Sequence, residues 1–281
     1  MGRMLAALLV VIATTGSVEA QTETTELPIS TCMAVAENLR HIIPASASVQ
    51  YVQQKADYTV RITYVGHSTF RMETPGAVSI ATDFTGEAGR SRRPDVVTMN
   101  HAHTTHFTHF PDPEIPHVLR GWGENGQPAR HFLQVGDTVI RNVTTDINSR
   151  FGVHEEEGNS IFIFETAGLC IGHLGHLHHV LTDSHYAEIG RIDILMVPVD
   201  GGYTLNLDDM IKVVRRLNAS VILPMHWFGG YSLSSFLNRL KGRFPVEYPE
   251  GSALDFSLNS LPALPTIYVL QPETSLGQSF E

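Results

Sequence analysis

Three stretches far apart in this chain share one pattern, an apolar run that stops at histidine. They are "DVVTMNHAHTTH" at residues 95–106, "LCIGHLGHLHH" at 169–179 and "VILPMHW" at 221–227. Short apolar runs bounded by turn residues read as buried strands. Strand ends that pass into polar loops are where sheet proteins place their chemistry. Packing alone does not explain three histidine clusters at three strand ends. The chain has 15 histidines in 281 residues, and His101, His103 and His106 fall within six of them. Neutral imidazole is a good zinc ligand, and an extended or turning backbone can aim His101 and His103 at one point while His106 comes back from the turn.

The rest of the sequence supplies the sheets. Val60, Ile62 and Tyr64 alternate with polar neighbours, as do Phe70 and Met72, with "VGHS" between them. "AVSIATDF" reads as another strand, and the segments from "RHFLQVGDTVIRNV" to "NSIFIFETAGLCIGHLG" read as hairpins, the second turning at "TAG". Beyond them strand and helix alternate. "IDILMVPV", "SVILPMHW" and "PTIYVL" are strands, and "LDDMIKVVRRLN" and "SLSSFLNRLKGR" are amphipathic helices. "STCMAVAENLRHII" is expected to form a short helix, with Val35, Leu39 and Ile42 on one face and Pro44 as its stop. The expected fold is α/β, with two sheets packed together and helices outside them.

Residues 1–20 are expected to be a signal peptide. Arg3 precedes a ten-residue apolar run, and "VEA" before Gln21 fits a cleavage site. The run is too short for a membrane anchor, which needs about 20 apolar residues, so a periplasmic or secreted location without stable membrane insertion is expected. Residues 21–58 read as an N-terminal extension carrying the short helix, and 59–281 as one domain. The formal net charge of −10, with no basic stripe, argues against nucleic acid as a partner. Cys32 and Cys170 are the two cysteines. One bridge could form, although Cys170 lies in an apolar run where a buried thiol is the commoner state.

The ordered set "YVGHSTFRMET", "IATDF", "DVVTMNHAHTTH", "CIGHLGHL", "DILMVPVDGGYTLNLDDM" and "VILPMHW" resembles the metallo-β-lactamase-fold hydrolases, and within them the branch of L-ascorbate-6-phosphate lactonase. The resemblance runs from about Val60 to Glu273. It implies an αββα sandwich of two packed mixed β-sheets with helices on the outer faces. By position, His101, His103 and His173 match the ligands of a first metal, while His106 and His226 match ligands of a second. Asp83 matches an aspartate that holds a ligand imidazole, and His67 matches a residue near the pocket.

Two departures remove carboxylates. Thr105 stands where the family's H-x-H-x-D-H motif has aspartate, and His176 stands where the bridging aspartate would be. A hydroxyl is a poor substitute for a carboxylate on a divalent cation. His176 can still bind metal, so the second set becomes His106, His176 and His226. Without bridging carboxylates, two dications repel, which favours one tightly bound zinc with a weaker second site. The candidate catalytic residues are His67, Asp83, Thr105 and His176. The resulting expectation is an exported metal-dependent hydrolase of a small ester, lactone or phosphoester that uses zinc-bound water. The alternative is a catalytically weak or inactive metal- or ligand-binding protein on the same fold.

Overall fold

The computed structural model describes residues 29–33, 58–123, 127–148, 152 and 154–273. The signal peptide and most of the helix expected after Ser30 lie outside these residues. Within the described part of that helix, Thr31–Met33 form bends.

Two mixed sheets are packed face to face. The six-stranded sheet is built from β1 (Val60–Gly66), β2 (Thr69–Glu73), β3 (Ser79–Ala81), β4 (Val96–Met99), β5 (His117–Arg120) and β13 (Ala253–Phe256), in the order β13-β1-β2-β3-β4-β5. The eight-stranded sheet holds β6 (Phe132–Val135), β7 (Thr138–Asn148), β8 (His154–Thr166), β9 (Leu169–His173), β10 (Ile194–Pro198), β11 (Val221–Met225), β12 (Val246–Glu247) and β14 (Thr266–Tyr268). Its order is β12-β14-β11-β10-β9-β8-β7-β6. Strands β9, β10 and β11 run parallel, so their C-terminal ends emerge along one edge.

The central strands read as unbroken apolar runs because they are buried on both faces. Phe162, Phe164, Ile194, Met196 and Leu223 meet Ile62, Phe70, Met72 and Ile80 of the six-stranded sheet. The alternate residues Ile161, Ile163, Leu195, Val197 and Ile222 face outward, against Ile189, Met210, Val214 and Phe236. Those partners belong to three helices, α1 (Asp183–Ile189), α2 (Leu207–Leu217) and α3 (Gly230–Leu240). Helix α2 is well delimited. Asn206 caps its first turn beside Asp208 and Asp209, Arg215 and Arg216 occupy its last turn, and left-handed Asn218 ends it.

The sandwich expected from the sequence is therefore present. All three described α-helices pack on the eight-stranded sheet. Outside the other sheet, Phe84, Met99 and Ile115 are covered by loop residues such as Phe107 and Trp122. Helix α1 escaped the sequence reading because it is seven residues long and buries only Ile189, too little to show a period. The strands β5, β12 and β13, of four residues or fewer, escaped for the same reason.

The cysteine reading needs correction. Cys32 and Cys170 form a disulfide across a sequence separation of 138 residues. It ties the N-terminal segment to the start of β9.

Candidate metal centre

The ends of β1, β3, β4, β9 and β11 deliver the histidines to one edge of the sandwich. Three strand-end residues take left-handed backbone conformations there: His67 (φ 53°), Asp83 (φ 49°) and His226 (φ 53°). Such values are uncommon for residues with a side chain. Each redirects its side chain as the chain leaves a strand. The His226 amide donates to the His67 carbonyl at 2.7 Å, and the Tyr64 hydroxyl donates to the same oxygen at 2.9 Å, so the two turns are joined. After β9, the left-handed Gly175 lets the chain pass close to Asn159 and Asn100. A Cβ there would lie 2.5 Å from Asn159 Oδ1 and 2.6 Å from Asn100 Nδ2.

His106 and His226 face each other, with their Nε2 atoms 3.2 Å apart. The opposite nitrogen of each ring meets a buried carboxylate. His106 Nδ1 donates to Asp83 Oδ2, and His226 Nδ1 donates to Asp200 Oδ1 at 2.9 Å. A neutral imidazole that donates from Nδ1 carries a lone pair on Nε2. Two such lone pairs at this distance repel unless a proton or a cation lies between them. Burial, reinforced by the neighbouring His226, pushes the His106 imidazole well below its ordinary pKa, which disfavours the proton. A cation remains.

His67 brings a third nitrogen close to this pair. The ligand atoms of His67, His106 and His226 all lie within 4.8 Å of one another. His67 Nε2 is buried without a hydrogen-bond partner, and burial lowers the His67 pKa to about 3. Tetrahedral zinc with Zn–N bonds of about 2.0–2.1 Å places its ligand nitrogens about 3.3 Å apart. The His106–His226 spacing fits that figure, and the orphaned His67 nitrogen fits a third ligand.

Asp200 was not recognised in the sequence, and it is the most heavily bonded carboxylate at this edge. Its Oδ2 accepts from the amides of Gly202 at 2.7 Å, Tyr203, and Thr204 at 3.1 Å, and its Oδ1 accepts from the Thr204 hydroxyl as well as from His226. Burial alone would raise its pKa. The hydrogen bonds from His226, Thr204 and Gly202 override that and hold it far below the usual carboxylate range. Asp83 has fewer donors, chiefly the Asn100 amide at 3.1 Å and His106, and burial pushes its pKa up.

The structure places His173 apart from His101 and His103, with both ring nitrogens in hydrogen-bonding contact inside the core. Its Nε2 donates to the Ser68 carbonyl at 2.8 Å, while its Nδ1 accepts from Asn100 Nδ2 at 3.2 Å and from the Gly175 amide at 3.1 Å. Both nitrogens are occupied, and the fully buried ring serves as packing.

His101, His103 and His176 form a second group beside the first, with ring centroids 5.4–6.1 Å apart. His176 also sits edge-on to His106 at 4.5 Å. A relay sets its tautomer. His178 Nδ1 donates to the Asn148 carbonyl at 2.9 Å, so His178 Nε2 accepts from His176 Nδ1 at 2.8 Å and the His176 Nε2 lone pair is left over. Burial, followed by the charges of His106 and His226, drives the His176 pKa far down. His101 Nδ1 is buried without a partner, and its Nε2 lies 3.3 Å from Glu155 Oε2, a carboxylate the sequence reading did not single out. Thr105 is exposed, with its hydroxyl 3.1 Å from His103 Nδ1. His101, His103, Thr105, Glu155, His176 and His226 border one cavity of about 810 Å³.

A two-sheet sandwich with a histidine–carboxylate centre at the strand ends defines a class of metal-site protein. The Beta-lactamase superfamily domain matches residues 61–226, more than half of the chain, and the protein belongs to that family. A protein of Carboxydothermus hydrogenoformans named a metal-dependent hydrolase is 25% identical over 192 residues, 60% of this chain and 84% of the relative. Another of that name from Methanospirillum hungatei is 25% identical over 188 residues, covering 60% and 83%. A Thermotoga maritima structure, described as a candidate Zn-dependent hydrolase of the metallo-β-lactamase superfamily, is similar with a TM-score of 0.55. Its identity is 29%, over 75% of this chain and 98% of that one.

Proposed function

We propose that this chain hydrolyses a small ester, lactone or phosphoester with zinc held by His67, His106 and His226. It is a metal-dependent hydrolase of the metallo-β-lactamase superfamily. The observation that carries the reading is the pair of Nε2 atoms 3.2 Å apart, each on a ring whose other nitrogen donates to a buried carboxylate. A ligand set made only of imidazoles favours zinc over the harder magnesium or calcium. A zinc ion there supplies a Lewis acid that polarises a scissile carbonyl or phosphoryl oxygen and acidifies water.

The chain's own residues do the rest. Asp83 and Asp200 fix the tautomers of His106 and His226, so neither of those ligands has to shed a proton or rotate before binding. The lone pair on His176 Nε2, set by the His178 relay, offers an acceptor beside the centre. Thr105 and His176, in place of two family aspartates, support one tightly held ion with a weaker second beside His101, His103 and His176. Export is supported by the apolar N-terminal run and by the Cys32–Cys170 disulfide, because such bonds persist in oxidising compartments. Among the described residues no helix is long and apolar enough to cross a membrane.

The test couples metal content to turnover. Zinc per chain is measured by elemental analysis after loading and dialysis, and hydrolysis of an ester and lactone panel is followed as zinc is titrated back. The expected result is about one tightly bound zinc, turnover that rises with it, and loss of both in His226→Ala. Zinc uptake without turnover would move the protein to the alternative, a metal- or ligand-binding protein on the same fold. Absence of tight zinc would sink the centre itself.

A further inference from the structure

The two aromatic residues that follow His226 part ways. Trp227 is partly buried and packs against both hydrophobic cores, the one between the sheets and the one beneath the helices. Phe228 lines the cavity of about 810 Å³ over the candidate centre, with 48% of its surface exposed. Trp227 anchors the backbone, and three rings hold Phe228 in place. It meets His226 edge to face with centroids 5.0 Å apart, lies 5.4 Å from the His67 ring, and meets Tyr203 edge to face at 5.7 Å. Ring pairs at such spacings and tilts are favourable.

A single apolar side chain exposed on a convex surface needs no explanation. Phe228 is a different case, because it sits in a concavity and touches two of the three rings of the centre. Ile147 and Leu205 line the same cavity, with only 4% and 5% of their surfaces showing. Ligand pockets of about 300–1,000 Å³ are typically walled by apolar and aromatic side chains, with a few polar groups that fix orientation. Here the histidines supply the polar groups. A ligand group that covers Phe228 takes apolar surface of both partners out of water. Contact with the histidine rings also decides which part of a substrate that is. A group resting on Phe228 lies beside the reacting atoms and not at the far end of the molecule.

Resting on the hydrolase reading above, we infer that the substrate carries an apolar group, an aryl ring or an alkyl chain, next to its scissile carbonyl, and that Phe228 receives it. Esters and lactones with an apolar acyl part are the class that fits. Phe228 is the specificity-determining residue. It takes no part in bond breaking and selects through the apolar surface it offers.

Hydroxamates test this without turnover. They chelate zinc through two oxygens and so anchor a chosen group at the metal, a methyl in acetohydroxamate and a phenyl in benzohydroxamate. Dissociation constants for both are measured by calorimetry on the parent and on Phe228→Ala, compared at equal zinc content. The parent is expected to prefer benzohydroxamate about tenfold, the scale set by covering a half-exposed phenylalanine. In Phe228→Ala that preference should fall about five- to tenfold. The ratio is the readout because any loosening of the zinc ligands weakens both probes alike. Equal binding of the two hydroxamates by the parent, or a preference that survives Phe228→Ala, would overturn the inference. A protein that shows the preference yet cleaves no ester or lactone would defeat the hydrolase reading and leave the apolar site standing.

Discussion

Strand β9 has a buried polar cluster at each end, and the two are built on opposite principles. At its start, Glu165 accepts from the Ser30 hydroxyl at 2.6 Å, the Thr31 amide at 2.7 Å, the Cys32 amide at 3.2 Å and Arg141 Nε at 2.8 Å. Arg141 spends its remaining nitrogens on the carbonyls of Glu188 and Ile189, both at 2.7 Å. Every strong donor and acceptor in that cluster has a partner. At the other end, His67 Nε2, His101 Nδ1 and Asn100 Oδ1 are buried with none, and the Nε2 atoms of His106 and His226 face each other 3.2 Å apart. Native interiors rarely tolerate unpaired polar atoms, so a concentration of them needs an explanation. The saturated cluster holds the fold together, and the unsaturated one is arranged for a ligand.

The largest expected effect breaks the saturated end. Arg141→Ala leaves Glu165 buried with its counter-charge gone, and should destabilise the protein by about 3–5 kcal/mol. Zinc stoichiometry in the folded protein should not change. Urea unfolding and elemental analysis on the same sample check both halves, and a variant that keeps its stability but loses zinc would erase the distinction between the clusters.

A pH experiment on the metal-free protein sharpens the comparison. The His67 pKa is about 3 in the folded state, against about 6.5 for an unperturbed imidazole. At pH 7 both states are neutral and the group contributes nothing. As pH falls through 6.5 the unfolded chain takes up a proton that the folded protein refuses, so stability is lost progressively between about pH 6.5 and 3. At pH 5 His67 alone accounts for about 2 kcal/mol, and His106 and His176, also depressed, act in the same direction. Glu165 behaves oppositely in position. Burial would raise its pKa, but Ser30, Arg141 and Thr31 lower it. Its contribution is intact above the ordinary glutamate pKa and fades only below that. Stability lost between pH 6.5 and 5 therefore belongs to the buried histidines and not to the Glu165 cluster. His67→Gln should flatten that limb of a urea-midpoint profile, and an unchanged limb would show that His67 is not held neutral.

The same contrast explains what could be read from the sequence. The strands were legible because burial on both faces writes them as unbroken apolar runs, as in "ILMVP" and "VILPM". His106 and His226 were legible as histidines at strand ends. Whether a strand-end ring turns toward the centre or into the core depends on local backbone, which composition does not record. His173 keeps its extended strand geometry and meets the Ser68 carbonyl, whereas the left-handed turns at His67 and His226 swing their rings together. Asp200 had a signal, an aspartate just after a buried strand and ahead of two glycines, a turn suited to wrapping amides around a carboxylate. The disulfide left no local trace, since its partners are 138 residues apart.

The smallest expected effect tests the carboxylates behind the ligands. Asp200→Asn keeps the shape, and its one amide oxygen can still accept from His226 Nδ1. The amide nitrogen must then face the amides of Gly202, Tyr203 and Thr204, donors meeting donors, and the negative charge behind the His226 ring is gone. Loss of a partner of this kind typically lowers metal affinity 10–100-fold, and about tenfold is expected here because His67 and His106 are untouched. Asp83→Asn should do less. Asp83 accepts from fewer groups, chiefly the Asn100 amide and His106, so an amide in its place sets fewer donors against each other. Competition against a chelator of known zinc affinity ranks parent, Asp83→Asn and Asp200→Asn on one scale. Zinc binding in Asp200→Asn that matches the parent would mean that the His226 ring is held by packing alone, and that the carboxylate serves only the turn after β10.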